Sequence, residues 1–339
     1  MEKCRLKIFH RSRGTTPFFL LFIFVSVLSF CVSCSRKPEK AFSEEQCIQR
    51  LTSLSWSTEV NHTAQSFAEK LAIPVDQSYN EQDMDTESFL LVEKSNTVSD
   101  RALSYKNPYK RVYPASITKL MTALVCVETV EDLEQEFVIS SASSIKVSGS
   151  STAFLQVGES LKIKDLLYGM LLPSGNDAAV AVAEASCGSV DAFVEKMNEE
   201  AVKIGALSSH FTNPHGLPDE NHYTSPYDIY LIFRAAMQHE VLREILGTKE
   251  YQVVYKDRNG ARKTQVWKAT NLYSTGEKEL PKDLKISGAK TGTTKEAGYC
   301  LALDTEKPGS DLDYFSIVMK ADTKDNLYEN MTILLDKIS

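Results

Sequence analysis

The chain has 339 residues, of which 42% are apolar and 24% are charged, and its formal charge at pH 7 is −7. An apolar fraction of this size supports a globular core and excludes a wholly disordered chain. The first 34 residues carry five basic side chains and one acidic side chain, so the rest of the chain is more acidic than the whole. This acidic body argues against nucleic acid as a partner.

The N-terminus has the pattern of an export segment. Basic residues precede an apolar run over residues 17–34, PFFLLFIFVSVLSFCVSC, which is typical of a secretory signal. The run is also long enough to span a bilayer as an uncleaved anchor. Ser33 and Cys34 resemble a bacterial lipoprotein cleavage site with the lipid on Cys34, although Cys31 stands where such sites usually carry leucine. For residues 1–34 a lipoprotein signal, a plain signal and an anchor all remain open, and each predicts attachment or export to the outer face of the membrane.

The body of the chain divides into a tether and one folded domain. Residues 35–85 are polar and rich in Ser, Glu and Gln, which predicts a tether, and residues 86–339 are expected to form the domain. Apolar runs or alternation predict strands over residues 89–92, 251–255, 263–268, 284–289, 298–303 and 314–319. Helical spacing predicts helices after Pro114 and over residues 161–172, 178–185, 190–205, 225–246 and 326–338. The polar stretch after residue 92 is interpreted as a loop. This order predicts an α+β domain, with an antiparallel sheet, an inserted helical subdomain and the active site between them.

The first string that indicates chemistry is Ser116-Ile117-Thr118-Lys119. S-x-x-K occurs twice more, at Ser143 and Ser287, but only Ser116 opens an apolar helix. Residues three apart on a helix share a face, so the Lys119 amine can reach the Ser116 hydroxyl. A neutral lysine, its pKa lowered by burial or a nearby cation, can serve as the base that a serine nucleophile needs.

Two further strings complete the candidate site. Ser174-Gly175-Asn176 interrupts a predicted helical pair, where a loop facing a cleft is expected, although a helix cap explains Ser and Asn equally well there. Lys290-Thr291-Gly292 is the only K-T-G in the chain and lies on a predicted strand. Gly292 would let a substrate backbone approach this strand closely.

Together, in this order, the three strings resemble the active-site set of the penicillin-interacting serine enzymes, the D,D-peptidases and serine β-lactamases. Similarity to the D-alanyl-D-alanine carboxypeptidases is closer, and it extends over residues 85–338 through PASITKLMTAL, FTNPHGLPDENHYTSPYDI and GAKTGTT. The resemblance implies a β-lactamase-like fold with a five-stranded antiparallel sheet flanked by helices. It also implies removal of the terminal D-alanine from wall peptides ending in D-Ala-D-Ala, inhibition by β-lactams and no cofactor.

The resemblance also implies roles for individual residues. Ser116 would be the nucleophile, Lys119 its base and Ser174 the proton relay to the leaving amine. Asn176 would hold the substrate amide, Lys290 and Thr291 would bind the terminal carboxylate, and Gly292 would admit the substrate backbone. Backbone N–H groups of Ser116 and Thr293 would form the oxyanion hole.

Other functions are kept as alternatives. A class A β-lactamase needs a carboxylate that activates the deacylating water, and the acids nearest Ser174 in the following loop, Asp219 and Glu220, do not fit that class's Glu-x-x-x-Asn pattern. A non-catalytic lipoprotein that senses wall peptides or β-lactams is less compatible with an intact Ser116 and Lys119 pair. No metal is expected, because His210, His215 and His222 lack a fixed ligand spacing and the four cysteines after residue 34 show no C-x-x-C.

Overall fold

The structure is a computed structural model that describes residues 73–74, 84–94, 100–145, 147, 149–310 and 312–339. All of these belong to one unit, Gln65–Ser339. The predicted export segment, Cys34 and most of the predicted tether lie outside the described residues. Within the described part, no helix has the length and apolar character needed to cross a bilayer.

The main sheet contains the strands β1 Ile73–Pro74, β2 Ser88–Lys94, β3 Arg101–Lys106, β8 Lys285–Thr294, β9 Gly298–Glu306 and β10 Asp313–Ala321. Their order across the sheet is β1-β3-β2-β10-β9-β8. The last five are antiparallel to their neighbours, as predicted, whereas β1 adds two residues in parallel to β3. Strand β8, which carries the K-T-G string, is therefore an edge strand, at the opposite end of the described sheet from β1.

Strand β3 was wrongly predicted as loop. It pairs with β2 over its length, but the side chains it turns inward include Ala102 and Ser104, which are small or polar. A hydropathy pattern gives a weak signal for such a strand, because its fully buried side chains are small or polar, and Leu103 and Tyr105 pack against the core only partly buried.

A second, four-stranded sheet has the order β4-β5-β6-β7, with β4 Glu136–Val138, β5 Ser160–Lys162, β6 Glu250–Lys256 and β7 Arg262–Lys268. The predicted hairpin forms β6 and β7, and its seven-residue register is regular from Glu250↔Lys268 to Lys256↔Arg262. The hairpin therefore belongs to this small sheet and not to the main one.

The helices of the described part are α1 Lys119–Thr129, α2 Ile163–Leu171, α3 Asn176–Cys187, α4 Val190–Ile204, α5 Pro226–Ala236, α6 Glu240–Gly247, α7 Leu272–Thr275 and α8 Lys324–Asp336. Side-chain caps begin several of them: Ser189 starts α4 and Ser225 starts α5, each accepting an N–H from the first turn. The single helix predicted over residues 225–246 is interrupted near Met237, whose carbonyl accepts a hydrogen bond from Arg243 at 2.9 Å. That bond satisfies a carbonyl that would otherwise be left open at the end of α5.

Helices cover both faces of the main sheet. On one face Phe315 contacts Phe233 of α5 edge-on, with ring centroids 5.4 Å apart, and this core continues into α1–α6. On the other face Leu91 and Leu303 pack with α8. Helices α1 to α6 all lie between β3 and β8 in the chain, which confirms the predicted helical insertion.

Candidate active site

The Ser116 hydroxyl lies on a tight turn that opens the first helix. Residues Ala115–Thr118 form a 3₁₀ turn, and α1 continues directly from it. Ala115 adopts a left-handed φ of 47°, which is uncommon for a residue with a Cβ. Ser116 is half-buried, and Lys119, one turn later, is fully buried with its Nζ 2.9 Å from Ser116 Oγ.

Three oxygens surround the Lys119 amine. Besides Ser116 Oγ, Nζ donates to Asn176 Oδ1 at 2.7 Å and to the His215 carbonyl at 2.8 Å. Burial, and secondly the charge of Lys290, hold the pKa of Lys119 well below its usual range. A neutral amine has two N–H groups, and the two carbonyl oxygens accept both. Its lone pair is then directed at Ser116 Oγ, which is the arrangement of a base beside a nucleophile.

Ser174 and Lys290 come from opposite sides of the cleft. Ser174 lies between α2 and α3 with a left-handed φ of 62°, and its Oγ accepts from Lys290 Nζ at 3.0 Å. Lys290 is fully buried and also donates to the Thr291 carbonyl at 2.8 Å. Burial lowers the pKa of Lys290 to about 7. A non-glycine residue at positive φ in a cleft is strained backbone of the kind found at functional sites.

Asn176 and Asp177 anchor the helical wall of the cleft. They form the first turn of α3, which confirms that the string begins a helix, yet the Asn176 side chain points to Lys119 rather than capping. The buried Asp177 carboxylate accepts from Thr152 Oγ1 at 2.5 Å, from Ala153 N at 2.8 Å and from Leu155 N at 3.0 Å. These bonds fix the segment that places Ser151 beside Ser116.

The edge strand β8 closes the cleft through its glycine. A Cβ on Gly292 would lie 3.0 Å from the backbone nitrogens of both Ser116 and Ile117. The missing side chain therefore lets the strand pack on the 3₁₀ turn Ala115–Thr118, called the nucleophile turn below after the role predicted for Ser116. The Thr291 hydroxyl lies 2.5 Å from that of Thr270. Thr293 is exposed on the same strand.

The segment 211–222 packs against the nucleophile turn and the first turn of α1. Its His215 carbonyl binds Lys119, its Pro214 carbonyl accepts from Thr122 Oγ1 at 2.6 Å, and His222 Nε2 lies 2.8 Å from Thr118 Oγ1. Burial lowers the pKa of His215 to about 3 and that of His222 to about 4, so both rings are neutral at pH 7. Within the described residues, no group of three or more His, Cys, Asp or Glu side chains is placed to hold a metal ion.

Two adjoining cavities open at Ser116 and share Ser151 and Thr293. One, of about 230 Å³, extends along β8, with Ser174, Thr270, Thr291 and Lys324 in its wall. The other, of about 370 Å³, extends along segment 211–222, with Asn176, His215, Leu217, Lys295 and Glu296 in its wall. Ser116 thus lies where the two cavities meet.

The structure brings together all eight residues predicted as catalytic or substrate-binding. The predicted lipid site, Cys34, lies outside the described residues. Sequence reasoning missed four contributors: Asp177, Thr270, the His215 carbonyl and His222. Asp177 follows directly on the second string, so its position in a first helical turn could have indicated it. The other three contribute through backbone or through long-range contacts that no local pattern encodes.

Comparison with known proteins places this site in a family. Residues 75–323 match the family model described as D-alanyl-D-alanine carboxypeptidase. The D-alanyl-D-alanine carboxypeptidase DacF of Bacillus subtilis is 32% identical over 254 residues, which cover 74% of this chain and 61% of DacF. The D-alanyl-D-alanine carboxypeptidase of Streptomyces sp. strain K15 is 32% identical over 205 residues, covering 57% of this chain and 68% of that one.

Solved structures agree on the fold. The crystal structure of the Streptomyces K15 DD-transpeptidase superposes with a TM-score of 0.68 at 27% identity, covering 76% of this chain and 98% of that one. Penicillin binding protein 6B of Escherichia coli gives a TM-score of 0.66 at 25% identity, covering 79% and 81%. The predicted α+β, D,D-peptidase-like fold is confirmed. From its family match and its fold, the chain belongs to the D-alanyl-D-alanine carboxypeptidase family.

Proposed function

We propose that the chain is a serine D-alanyl-D-alanine carboxypeptidase that removes the terminal D-alanine from peptidoglycan stem peptides through an acyl-enzyme on Ser116. One observation carries the proposal. The buried Lys119 amine lies 2.9 Å from Ser116 Oγ, and the oxygens of Asn176 and His215 accept both hydrogens of the neutral amine. This is a hydroxyl with its base already in place.

In the first step, Ser116 Oγ attacks the carbonyl carbon between the two D-alanines while its proton moves to Lys119 Nζ. Backbone N–H groups of Ser116 and Thr293 stabilise the oxyanion, an interaction that contributes about 3 to 4 kcal/mol in comparable enzymes. Support for this placement comes from Gly292, whose missing side chain brings β8 against the backbone nitrogen of Ser116.

In the second step the C–N bond breaks and the leaving D-alanine takes up a proton. Lys119 releases the proton it accepted, and the Ser174 hydroxyl passes a proton to the amine. The Ser174 Oγ contact with Lys290 Nζ at 3.0 Å supports this role, because the hydrogen bond from the Lys290 amine orients the Ser174 hydroxyl. Water then attacks the ester on Ser116, with Lys119 again taking the proton, and the shortened peptide leaves.

Substrate binding follows the two cavities. Lys290 and the Thr291 hydroxyl bind the terminal carboxylate from the β8 side. Asn176 holds the substrate amide from the helical side, and the peptide backbone lies along the free edge of β8 beside Gly292. Penicillins, which carry a carboxylate next to a reactive amide, occupy the same place and acylate Ser116.

The class A β-lactamase alternative receives no support from the site. Asp219 and Glu220 are exposed and line neither cavity, so they are not placed to activate a water on the acyl-enzyme. We therefore expect slow release of bound penicillin. The sensor alternative is disfavoured by the contact between Lys119 and Ser116, which a pure receptor does not need.

The proposal extends to cellular location and chain organisation. We propose that residues 1–34 direct the chain across the bacterial membrane and attach it to the outer face, through a lipid on Cys34 or an apolar anchor. The predicted tether, residues 35–85, then shortens to the part before the unit Gln65–Ser339, because β1 already pairs with β3 in the main sheet. That unit, rather than residues 86–339 alone, acts as the catalytic domain. Support comes from the residue pattern at the N-terminus and from the wall substrate that the site fits.

The test uses residues 40–339 and a peptide ending in D-Ala-D-Ala. We expect D-alanine release by the native sequence, none by Ser116→Ala, and a stable penicillin adduct on Ser116 detected by mass spectrometry. Undiminished release by Ser116→Ala would refute the mechanism. A penicillin adduct without any peptide turnover would instead support the sensor.

A further inference from the structure

His222 makes two opposite hydrogen bonds in a fully buried position. Its Nδ1 accepts from the backbone N–H of Thr212 at 3.0 Å, and its Nε2 lies 2.8 Å from Thr118 Oγ1. The ring is 1% exposed and packs edge-on against Phe211. Since a backbone N–H can only donate, Nδ1 must be the unprotonated nitrogen. The proton of the neutral ring is therefore on Nε2, and it is donated to Thr118.

The direction of the next bond follows from the first. The Thr118 hydroxyl receives the His222 proton, so its own hydrogen is available to a second partner. That partner is the carbonyl of Ala115, at 2.8 Å. The three bonds form one directed chain, from the backbone of Thr212 through His222 and Thr118 to Ala115.

This series of hydrogen bonds ends at Ala115, the strained residue directly before Ser116. Ala115 is held at a φ of 47°, a conformation that costs an ordinary residue roughly 1–2 kcal/mol and persists only when the surroundings hold it. Its carbonyl is held from two sides, by Thr118 Oγ1 and by the close packing of Gly216. Relaxation of this residue would rotate Ser116 Oγ away from Lys119.

We propose that His222, fixed as its Nε2–H tautomer, is a positioning residue for the nucleophile, acting through the Thr118 hydroxyl on the Ala115 carbonyl. It touches neither substrate nor Ser116, and it lines neither cavity at the active site. The inference rests on the proposed function only in taking Ser116 as the nucleophile.

The test compares two amide substitutions at His222, each of which keeps one of the two hydrogen bonds that the ring makes. His222→Gln places an N–H donor near the Nε2 position, whereas His222→Asn keeps an acceptor for Thr212 and loses the donor to Thr118. The readout is the rate constant for acylation of Ser116 by a fluorescent penicillin, separated from its reversible binding constant. We expect His222→Asn to slow acylation at least 10-fold with binding within about 3-fold, and His222→Gln to stay within about 3-fold of native. These values follow from the 10²-fold cost of misplacing a reacting group by about 1 Å.

Matched changes at Thr118 keep the test valid if a His222 variant fails to fold. Thr118→Ser retains the hydroxyl and should acylate like the native chain, whereas Thr118→Val should match the loss in His222→Asn. Exposed His210, directly before segment 211–222, serves as the control, and His210→Asn should leave the acylation rate unchanged. Native-like acylation by both His222→Asn and Thr118→Val would overturn the proposal.

A second readout does not depend on catalysis. Nitrogen chemical shifts of the His222 ring report the tautomer directly, and we expect the Nε2–H form between pH 6 and pH 8. An Nδ1–H ring would overturn the inference even if Ser116 were acylated. A native chain that penicillin does not acylate but whose ring is the Nε2–H form would refute the proposed function and leave the bond chain intact.

Discussion

Replacing Gly216 with alanine should damage the active site from a distance. A Cβ at this position would lie 1.8 Å from the Ala115 carbonyl oxygen and 2.9 Å from Thr118 Oγ1, whereas real Cβ atoms essentially never approach within 3.0 Å. The segment and the nucleophile turn must therefore separate by at least about 1.2 Å. A displacement of about 1 Å at a reacting group costs on the order of 10²-fold in rate.

The cost in stability can be worked out from the same contacts. Gly216 has a φ of +90°, where a residue with a Cβ is strained by about 1–2 kcal/mol. Forced overlap in a packed region adds roughly 1–3 kcal/mol. We expect Gly216→Ala to lose about 2–5 kcal/mol of unfolding free energy, measured by urea denaturation, and to acylate with penicillin about 100-fold more slowly under conditions where it is folded.

Gly188 provides the matched control, because it has a similar φ of +77° at the end of α3 and open space around it. Gly188→Ala should lose only about 1–2 kcal/mol, with an unchanged acylation rate. If folded Gly216→Ala acylates within about 3-fold of the native chain, the nucleophile turn does not depend on this contact and the reasoning is wrong.

Three further predictions concern charge. Because the pKa values of His222 and His215 are lowered to about 4 and about 3 in the fold, the unfolded chain binds the extra protons first. Protonation linked to His222 alone should lower the unfolding free energy by about 2.6 kcal/mol as pH drops from 6.5 to 4, and His215 should add a similar loss; a flat urea midpoint over this range would contradict it. Lys290→Gln removes a charge that helps to lower the pKa of Lys119, so the acidic limb of the pH–rate profile for acylation should move to higher pH. The limb should not disappear, because burial contributes more than Lys290 to the lowered pKa of Lys119. An unmoved limb would show that the two amines are uncoupled. Asp177→Asn leaves Ala153 N and its neighbours short of a full set of acceptors and should cost about 2–3 kcal/mol in urea denaturation. The exposed Asp191→Asn, which only removes a charge from the first turn of α4, should cost no more than about 0.3–1 kcal/mol.

Local patterns in the sequence were sufficient for most elements and for the pair at the centre of the site. Ser116 and Lys119 are three apart in a 3₁₀ turn that continues into α1, so helical spacing predicts that the two side chains share a face. Apolar runs predicted β2, β9 and β10 because those strands bury their own side chains.

Elements whose stability comes from partners could not be predicted. Strand β3 fully buries only small side chains, and its backbone pairs with β2, which the pattern of β3 itself does not indicate. The break at Met237 depends on a bond from Arg243 that a continuous apolar stripe does not indicate. The second sheet likewise unites the hairpin with strands about 100 residues away in the chain.

By itself, the sequence determined which residues are candidates for the chemistry, because the three strings place a serine hydroxyl and two lysine amines on recognisable elements. Tertiary structure alone decided how they act. The His215 carbonyl orients the Lys119 amine, burial lowers its pKa, and His222 reaches the nucleophile turn from 104 residues away. The physical reason is that a proton's position depends on every dipole within a few ångströms, and folding brings those dipoles from distant parts of the chain.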